Sequence, residues 1–430
     1  MGATVAGGTA SEPAADNQEQ LVGIVILMPP ELALAGGQSQ GATASQRSHA
    51  DPGGPLGQDV LAERFAAQLL SGEPARSVTA VVQRLLAVQG QDPRGARLAI
   101  RSRSAGLTAA DVDRALTDER SLLITWLNRG TLHLVRADDY WWLHALTTPQ
   151  LATASNRRLA QEGVLRGDAD RAVAVIEGSL AADGPLTRAQ LGERITAAGV
   201  RTEGQALVHI LLLASRRGHI VRGPVIGADH AYVLVRDWLG APPAPVDRDT
   251  ALAELARRYL AGHGPAADRD LAKWAGLPLG DARRGLTAIA AELSKRDDGL
   301  ASLATAPGEQ EGPGDRGRRG EPGGGRSGRG FPPHRLLGSF DPLLHGWVSR
   351  EPVLGGHQGV VATNGIFRPF ALVRGRGAAT WSLARGRVTL APFAPLTAAD
   401  EAALLADAAD VLRFLGEGGS SPPSGSRRPA

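Results

Sequence analysis

A unit of three helical segments closed by a pair of short strands recurs along this chain, and few architectures accommodate such a repeat. The clearest copy begins in residues 170–182, where Val173, Ile176 and Leu180 fall on one helical face. Pro185-Leu186-Thr187 then introduces a second helix over 188–197, with Leu191 and Ile195 on one side. A break from Gly199 to Gly204 leads to a third helix over 205–216, and residues 219–222 and 231–236 read as strands around a Gly-containing loop. Downstream the pattern returns as helices over 252–260, 268–275 and 280–293, with strands within 336–392. Upstream it takes the form of helices over 61–70, 78–88, 94–103 and 109–119, then strands over 121–127 and 131–136. Those two strands turn at Asn128-Arg129-Gly130, where glycine supplies the positive φ of a tight turn.

Three helices and a hairpin make a winged helix. The expected fold class is therefore α+β, mostly helical, with three tandem winged-helix modules carrying β-hairpin wings. The modules span residues 58–165, 166–245 and 246–396, and Thr397 caps a last helix over 397–416. Residues 1–57 are rich in Gly, Ala, Ser, Gln and Pro and read as a disordered leader; their one apolar run, residues 21–28, lacks the basic flank of a secretory signal. A translation start placed too far upstream accounts for such a leader, and secretion is not expected. Residues 305–333, dominated by Gly, Pro and charge, read as a disordered insertion in the third module, and 417–430 as a disordered tail.

Composition narrows the chemistry. Without cysteine, thiol nucleophiles, zinc fingers and iron–sulfur clusters drop out. No apolar run approaches the roughly 18 residues that suggest a membrane span. A net charge of +3 does not fit a nucleic-acid packager. Of 47 basic residues only Lys273 and Lys295 are lysines, so Schiff-base chemistry has two candidates. There is no HExxH, no His/carboxylate cluster and no phosphate-binding Gly loop, so neither metal nor cofactor is expected.

The most unusual local sequence is Val88-Gln89-Gly90-Gln91-Asp92-Pro93. Pro93 pushes Asp92 out of the helical region and Gly90 lets the backbone leave it. In extended backbone, residues two apart share a face, so Gln89 and Gln91 would project into one site just past a helix. Two neutral amides can hold a water by donating and accepting hydrogen bonds; the competing reading is a helix exit with polar capping side chains. Arg94, Arg97 and Arg101 follow at i, i+3 and i+7 and form a basic stripe, suited to phosphates or simply solvated. Trp126, Arg129, His133 and Tyr140-Trp141-Trp142 gather in the next hairpin and helix start. Such aromatics stack on bases or pack a core, and His133 should face away from whatever buries Leu132 and Leu134.

These residues carry a resemblance. LLAVQGQDP, GLTAADVD, TWLNRGTLHLV and DDYWWL, within residues 78–146, together with LLGSFDPLLHGW (336–347) and ALVRGRGAATW (371–381), resemble the AlkZ-type family of winged-helix DNA glycosylases. The similarity covers roughly residues 58–303 and 334–416. It implies three winged helices forming a C-shaped body around double-stranded DNA, and metal-independent hydrolysis of the N-glycosidic bond of alkylated purines, in some members unhooking crosslinks. The family's paired-polar motif falls on Gln89 and Gln91 as catalytic residues. Arg94, Arg97 and Arg101 would then hold phosphates, and Arg129 and His133 would contact DNA near the lesion. A cytoplasmic, nucleoid-associated monomer acting in base-excision repair or genotoxin self-resistance follows from the same resemblance. The competing expectation is a non-catalytic winged-helix DNA-binding protein or transcriptional regulator.

Overall fold

The computed structural model describes residues 57–304, 331–357, 359–362 and 365–417. Apart from Gly57, Phe331–Pro333 and Glu417, the expected leader, insertion and tail lie outside these residues. The chain enters through α1 (Gln58–Ala67) and α2 (Val78–Leu85), the latter capped by Ser77, whose side chain accepts from Ala80 N–H. Helix α2 is shorter than its apolar spacing predicts. Leu86 adopts φ +63°, which ends the helix, and Val88–Gln89 becomes strand β1. Helices α3 (Pro93–Arg101) and α4 (Ala109–Thr117) follow, then the hairpin of β2 (Leu122–Leu127) and β3 (Thr131–Arg136). Its turn uses positive φ at Asn128 and at Gly130.

Helices α5 (Tyr140–Thr147) and α6 (Ala152–Gln161) lead to the second unit. That unit comprises α7 (Arg166–Asp183), α8 (Arg188–Ala197), α9 (Ala206–Arg216), β4 (Ile220–Ile226) and β5 (Asp229–Leu234). Residues 235–236, expected to extend the last strand, instead begin α10 (Val235–Leu239). The third unit holds α11 (Arg248–His263), α12 (Asp268–Ala275) and α13 (Leu279–Ala288). The remainder consists of β6 (Arg335–Leu337), α14 (Glu351–Leu354), β7 (Phe370–Val373), β8 (Arg376–Ala384), β9 (Arg387–Pro392) and α15 (Ala398–Leu415). The expected Thr397 cap is present, its hydroxyl accepting from Asp400 N–H at 3.1 Å.

One pairing recurs. In each unit the segment before the second helix pairs antiparallel with the unit's closing segment: β1 with β3, Leu186 with Tyr232 of β5, and Ala266 with Ala301 in an isolated bridge. The first two hairpins do not stand apart as separate wings. Ile124 of β2 pairs with Arg222 of β4, giving one five-stranded sheet in the order β1-β3-β2-β4-β5. Strands β6 to β9 form a second antiparallel sheet. The third unit closes through the Leu293–Leu303 bridge, ahead of the predicted insertion, so β6–β9 are additional to it.

The first sheet is covered on both faces, which is why its strands read as almost unbroken apolar runs. Ile124, Trp126, Leu132 and Leu134 enter one core cluster with α2, α9 and α15. Leu123, Leu127 and Val135 enter another with α11, α12 and residues 337–347.

Candidate active site

The early end of α2 is what delivers Gln89. In β1, Gln89 stands opposite His133 and Val88 opposite Leu134, while Gly90 N–H donates to Leu132 O at 2.7 Å. The backbone leaves the helix as expected, but only Val88–Gln89 is strand, and the chain bends at Gln91 and Asp92. The Asp92 carboxylate accepts from Arg94 N–H at 3.0 Å and caps α3, with Pro93 as the first helical residue.

Gln89 is 7% exposed, and its Oε1 has no hydrogen-bond partner among the described residues. An orphaned buried acceptor costs about 1–3 kcal/mol, so it marks a place where a ligand would supply the bond. Gln91 differs in kind. Its Oε1 accepts from Leu132 N–H at 2.9 Å, which fixes the carboxamide and leaves its N–H donors without a partner among the described residues. The pair therefore offers one acceptor, on Gln89, and one set of donors, on Gln91.

Gln89, His133 and Thr125 form one cross-strand row and share a face of the sheet. His133 does face away from Leu132 and Leu134, but that side meets the second core cluster and not solvent, leaving the ring 2% exposed. Burial, helped by the nearby Arg129 charge, pushes its pKa down to about 3. The ring is neutral at ordinary pH. Nδ1 donates to Thr131 O at 2.9 Å, so Nε2 is left as the acceptor.

Arg129 adjoins this row, and Lys273 and Arg350 gather with it around His345. Arg129, in the β2–β3 turn, donates to the carbonyls of Lys273 and Trp274. Lys273 Nζ donates to Val348 O at 3.1 Å, and Arg350 Nε to Leu344 O at 2.8 Å. Burial pushes Arg129 down to about 10, with Arg350 adding to the effect, and lowers Lys273 and Arg350 as well. The His345 imidazole sits among them and is held far below its usual range, first by burial and then by Arg129 and Arg350.

The predicted basic stripe does not survive as a unit. Arg94 is exposed and has no ion pair among the described residues. Arg97 is tied to Asp113, to Pro93 O at 3.1 Å and to His230. Arg101 is 4% exposed and both its terminal nitrogens are engaged: both oxygens of Asp407 (3.1 and 2.9 Å), Asp410 (3.0 Å) and Leu336 O (2.8 Å) accept from them. A guanidinium as deep as Arg101 needs carboxylates to offset its lost hydration, so Arg101 is held within the fold, while the less buried Arg97 is paired with Asp113. Trp126, 1% exposed and stacked on Tyr232, is likewise core and not a base platform.

Sequence reasoning named Lys273 only as one of two possible Schiff-base lysines and passed over Arg350, His345 and Asp341. The last two lie in the LLGSFDPLLHGW stretch, which also holds α3 in place. Asp341 makes a buried two-pronged pair with Arg103 (2.8 and 2.9 Å), and a Cβ on Gly95 would come within 2.3 Å of Ser339 O. Among the described residues no group of His and carboxylate side chains has the makings of a metal site, and no helix is long and apolar enough to cross a membrane.

Comparisons with known proteins agree with this architecture. The chain is 27% identical over 389 residues to the interstrand DNA cross-link repair glycosylase of Streptomyces sahachiroi, an alignment covering 83% of this chain and 96% of that protein. Its fold is similar to the solved structure of the Streptomyces sahachiroi DNA glycosylase AlkZ. There the TM-score is 0.63 at 24% identity, with 83% of this chain and 96% of the other covered. The family model for AlkZ-like DNA glycosylases matches residues 82–414, from within α2 to the end of α15. The chain belongs to the AlkZ-like family of DNA glycosylases.

Proposed function

We propose that this glycosylase hydrolyses the N-glycosidic bond of N7-alkylated purines in double-stranded DNA, with Gln89 and Gln91 orienting the attacking water. The observation that carries the reading is the buried, unpartnered Oε1 of Gln89 beside the anchored amide of Gln91. Alkylation at N7 makes the purine a cation, so the base departs as a neutral molecule without being protonated by the enzyme. The bond from N9 to C1′ breaks, water oxygen bonds C1′, and one proton passes to solvent. What the protein must provide is a placed water and oriented dipoles around an oxocarbenium-like sugar. Gln89 Oε1 accepts from that water and the Gln91 amide donates to it. Asp92, the adjacent carboxylate, is engaged in capping α3.

The same reading extends to crosslinked adducts, the substrate named for the Streptomyces relative, with repair or genotoxin self-resistance at the nucleoid as its setting. Three winged-helix modules acting as a C-shaped, monomeric clamp are part of it. The recurrence of the β1–β3, Leu186–Tyr232 and Ala266–Ala301 pairings supports that arrangement.

Base release from an N7-methylguanine duplex tests the proposal. The Gln89→Ala/Gln91→Ala protein should lose about 100-fold or more of the single-turnover rate, the scale of losing a hydrogen-bonding group that acts in the transition state. Its affinity for DNA should stay within about threefold. Unchanged release by the double variant would sink the assignment.

A further inference from the structure

Among the described residues many arginines are matched to carboxylates; the three cations grouped around His345 are not. Among the described residues Arg129, Lys273 and Arg350 form no ion pair with any acid. The acid nearest Lys273 is Asp270, which is otherwise engaged. It accepts from Val348 N–H at 2.8 Å and Ala267 N–H at 2.9 Å, and it faces Arg64 at 3.8 Å. Burying like charges together without counter-charge is costly, and such a cluster is tolerated where a ligand brings the opposite sign.

Each cation is also held in place. One donor group of each is tied to a main-chain carbonyl: Lys273 and Trp274 for Arg129, Val348 for Lys273, Leu344 for Arg350. The remaining N–H groups are left over. That is preorganisation for an anion with several acceptor oxygens. The three come from the β2–β3 turn, the end of α12 and the stretch before α14, so the fold and not one local motif brings them together. His345, whose Nε2 has no partner among the described residues, lies between them and His133.

The chemistry beside them sharpens the need. An oxocarbenium-like sugar over Gln89 would be repelled by unneutralised cations around His133 and His345, since His133 stands opposite Gln89. With an anion seated among them the repulsion is removed. DNA brings one on either side of the nucleotide being cut.

We propose that Arg129, Lys273 and Arg350 together grip a single phosphodiester of the DNA strand, one adjoining the nucleotide held over Gln89. The inference rests on the glycosylase reading for the position of that nucleotide and adds which phosphate is held, and by what.

The test uses the full chain and a duplex carrying a tetrahydrofuran abasic analogue, so that binding is read apart from cutting. Arg350→Gln should weaken binding about tenfold and reduce the slope of log K against log salt by up to about 0.9, the value for one phosphate contact. Arg350→Lys should keep most of the slope, and a melting temperature close to the parent protein's establishes that both variants fold. Replacing each phosphodiester within two nucleotides of the analogue by a neutral methylphosphonate, one at a time, should find one position that weakens the parent protein as much. At that position the replacement should add nothing to Arg350→Gln. An unchanged slope, or additive losses at every position, overturns the proposal. Release of N7-methylguanine is measured on the same proteins. Release without the coupling removes this inference alone, and coupling without release removes the catalytic reading and leaves the phosphate site standing.

Discussion

Arg94 and Arg101 show how far a residue's role depends on what lies elsewhere in the chain. Helical spacing puts both on one stripe with Arg97, and one stripe suggests one job. The structure divides them, because Asp407, 306 positions after Arg101, returns on α15 to meet it. Removing one partner of a buried pair strands the other charge, so Arg101→Ala should cost about 3–5 kcal/mol in urea unfolding. Arg94→Ala should change stability by less than about 0.5 kcal/mol yet flatten the salt dependence of DNA binding. If Arg101→Ala unfolds like the parent protein, the Asp407 pair contributes nothing and the stripe returns as a phosphate contact. The glutamines were legible for the opposite reason. Their geometry is set by their immediate neighbours, Gly90 and Pro93, which a sequence shows directly. Lys273 and Arg350 were not legible, since no local pattern tells that two cations far apart in the chain arrive beside Arg129.

At the level of elements, apolar spacing located most helices and both hairpins of the first sheet, and erred at ends where the backbone decides. Helix α2 stops at Leu85 because Leu86 takes a positive φ, which spacing cannot foretell. Helix α3 is held by contact of a kind spacing also misses: Gly95 and Gly338 meet backbone to backbone, and a Cβ on Gly338 would come within 2.9 Å of Gly95 Cα. Because α3 begins right after Gln91, whatever displaces α3 displaces the amide. Gly95→Ala should therefore lower stability by about 1–3 kcal/mol and slow base release, with single-turnover kinetics and thermal melting as the readouts. Gly178, inside α7 with nothing within 4 Å of where a Cβ would stand, is the matched control. There alanine should gain about 0.5–1 kcal/mol and leave release untouched. Equal behaviour of the two variants would mean that close packing of α3 on residues 338–339 does not position the site.

Across the whole molecule, acid sensitivity follows from where the histidines are kept. The first unit hides His133, the second His230 and the third His263, each pushed down to about 3 chiefly by burial; His345 in the closing stretch is also held well below its usual range, chiefly by burial. In the unfolded chain these rings titrate near 6.5. Between pH 6.5 and 3 the unfolded state therefore binds protons that the folded state refuses, and stability rises with pH across that window. The contribution is complete above about 6.5 and is lost as pH falls toward 3. A ring refusing its proton contributes about 1.4 kcal/mol per pH unit, so four together rival a total stability of about 5–15 kcal/mol within two or three units. Buried carboxylates such as Asp400, pulled down to about 2, act in the same direction but only below about pH 4. The loss between pH 6.5 and 4.5 thus belongs to the histidines. Melting temperatures should be level from pH 8 to 7 and fall steeply from pH 6.5 to 5, with no help from added salt. A level curve down to pH 5 would mean that these rings take up protons within the fold, and the neutral His133 facing Gln89 would then carry a charge in the site.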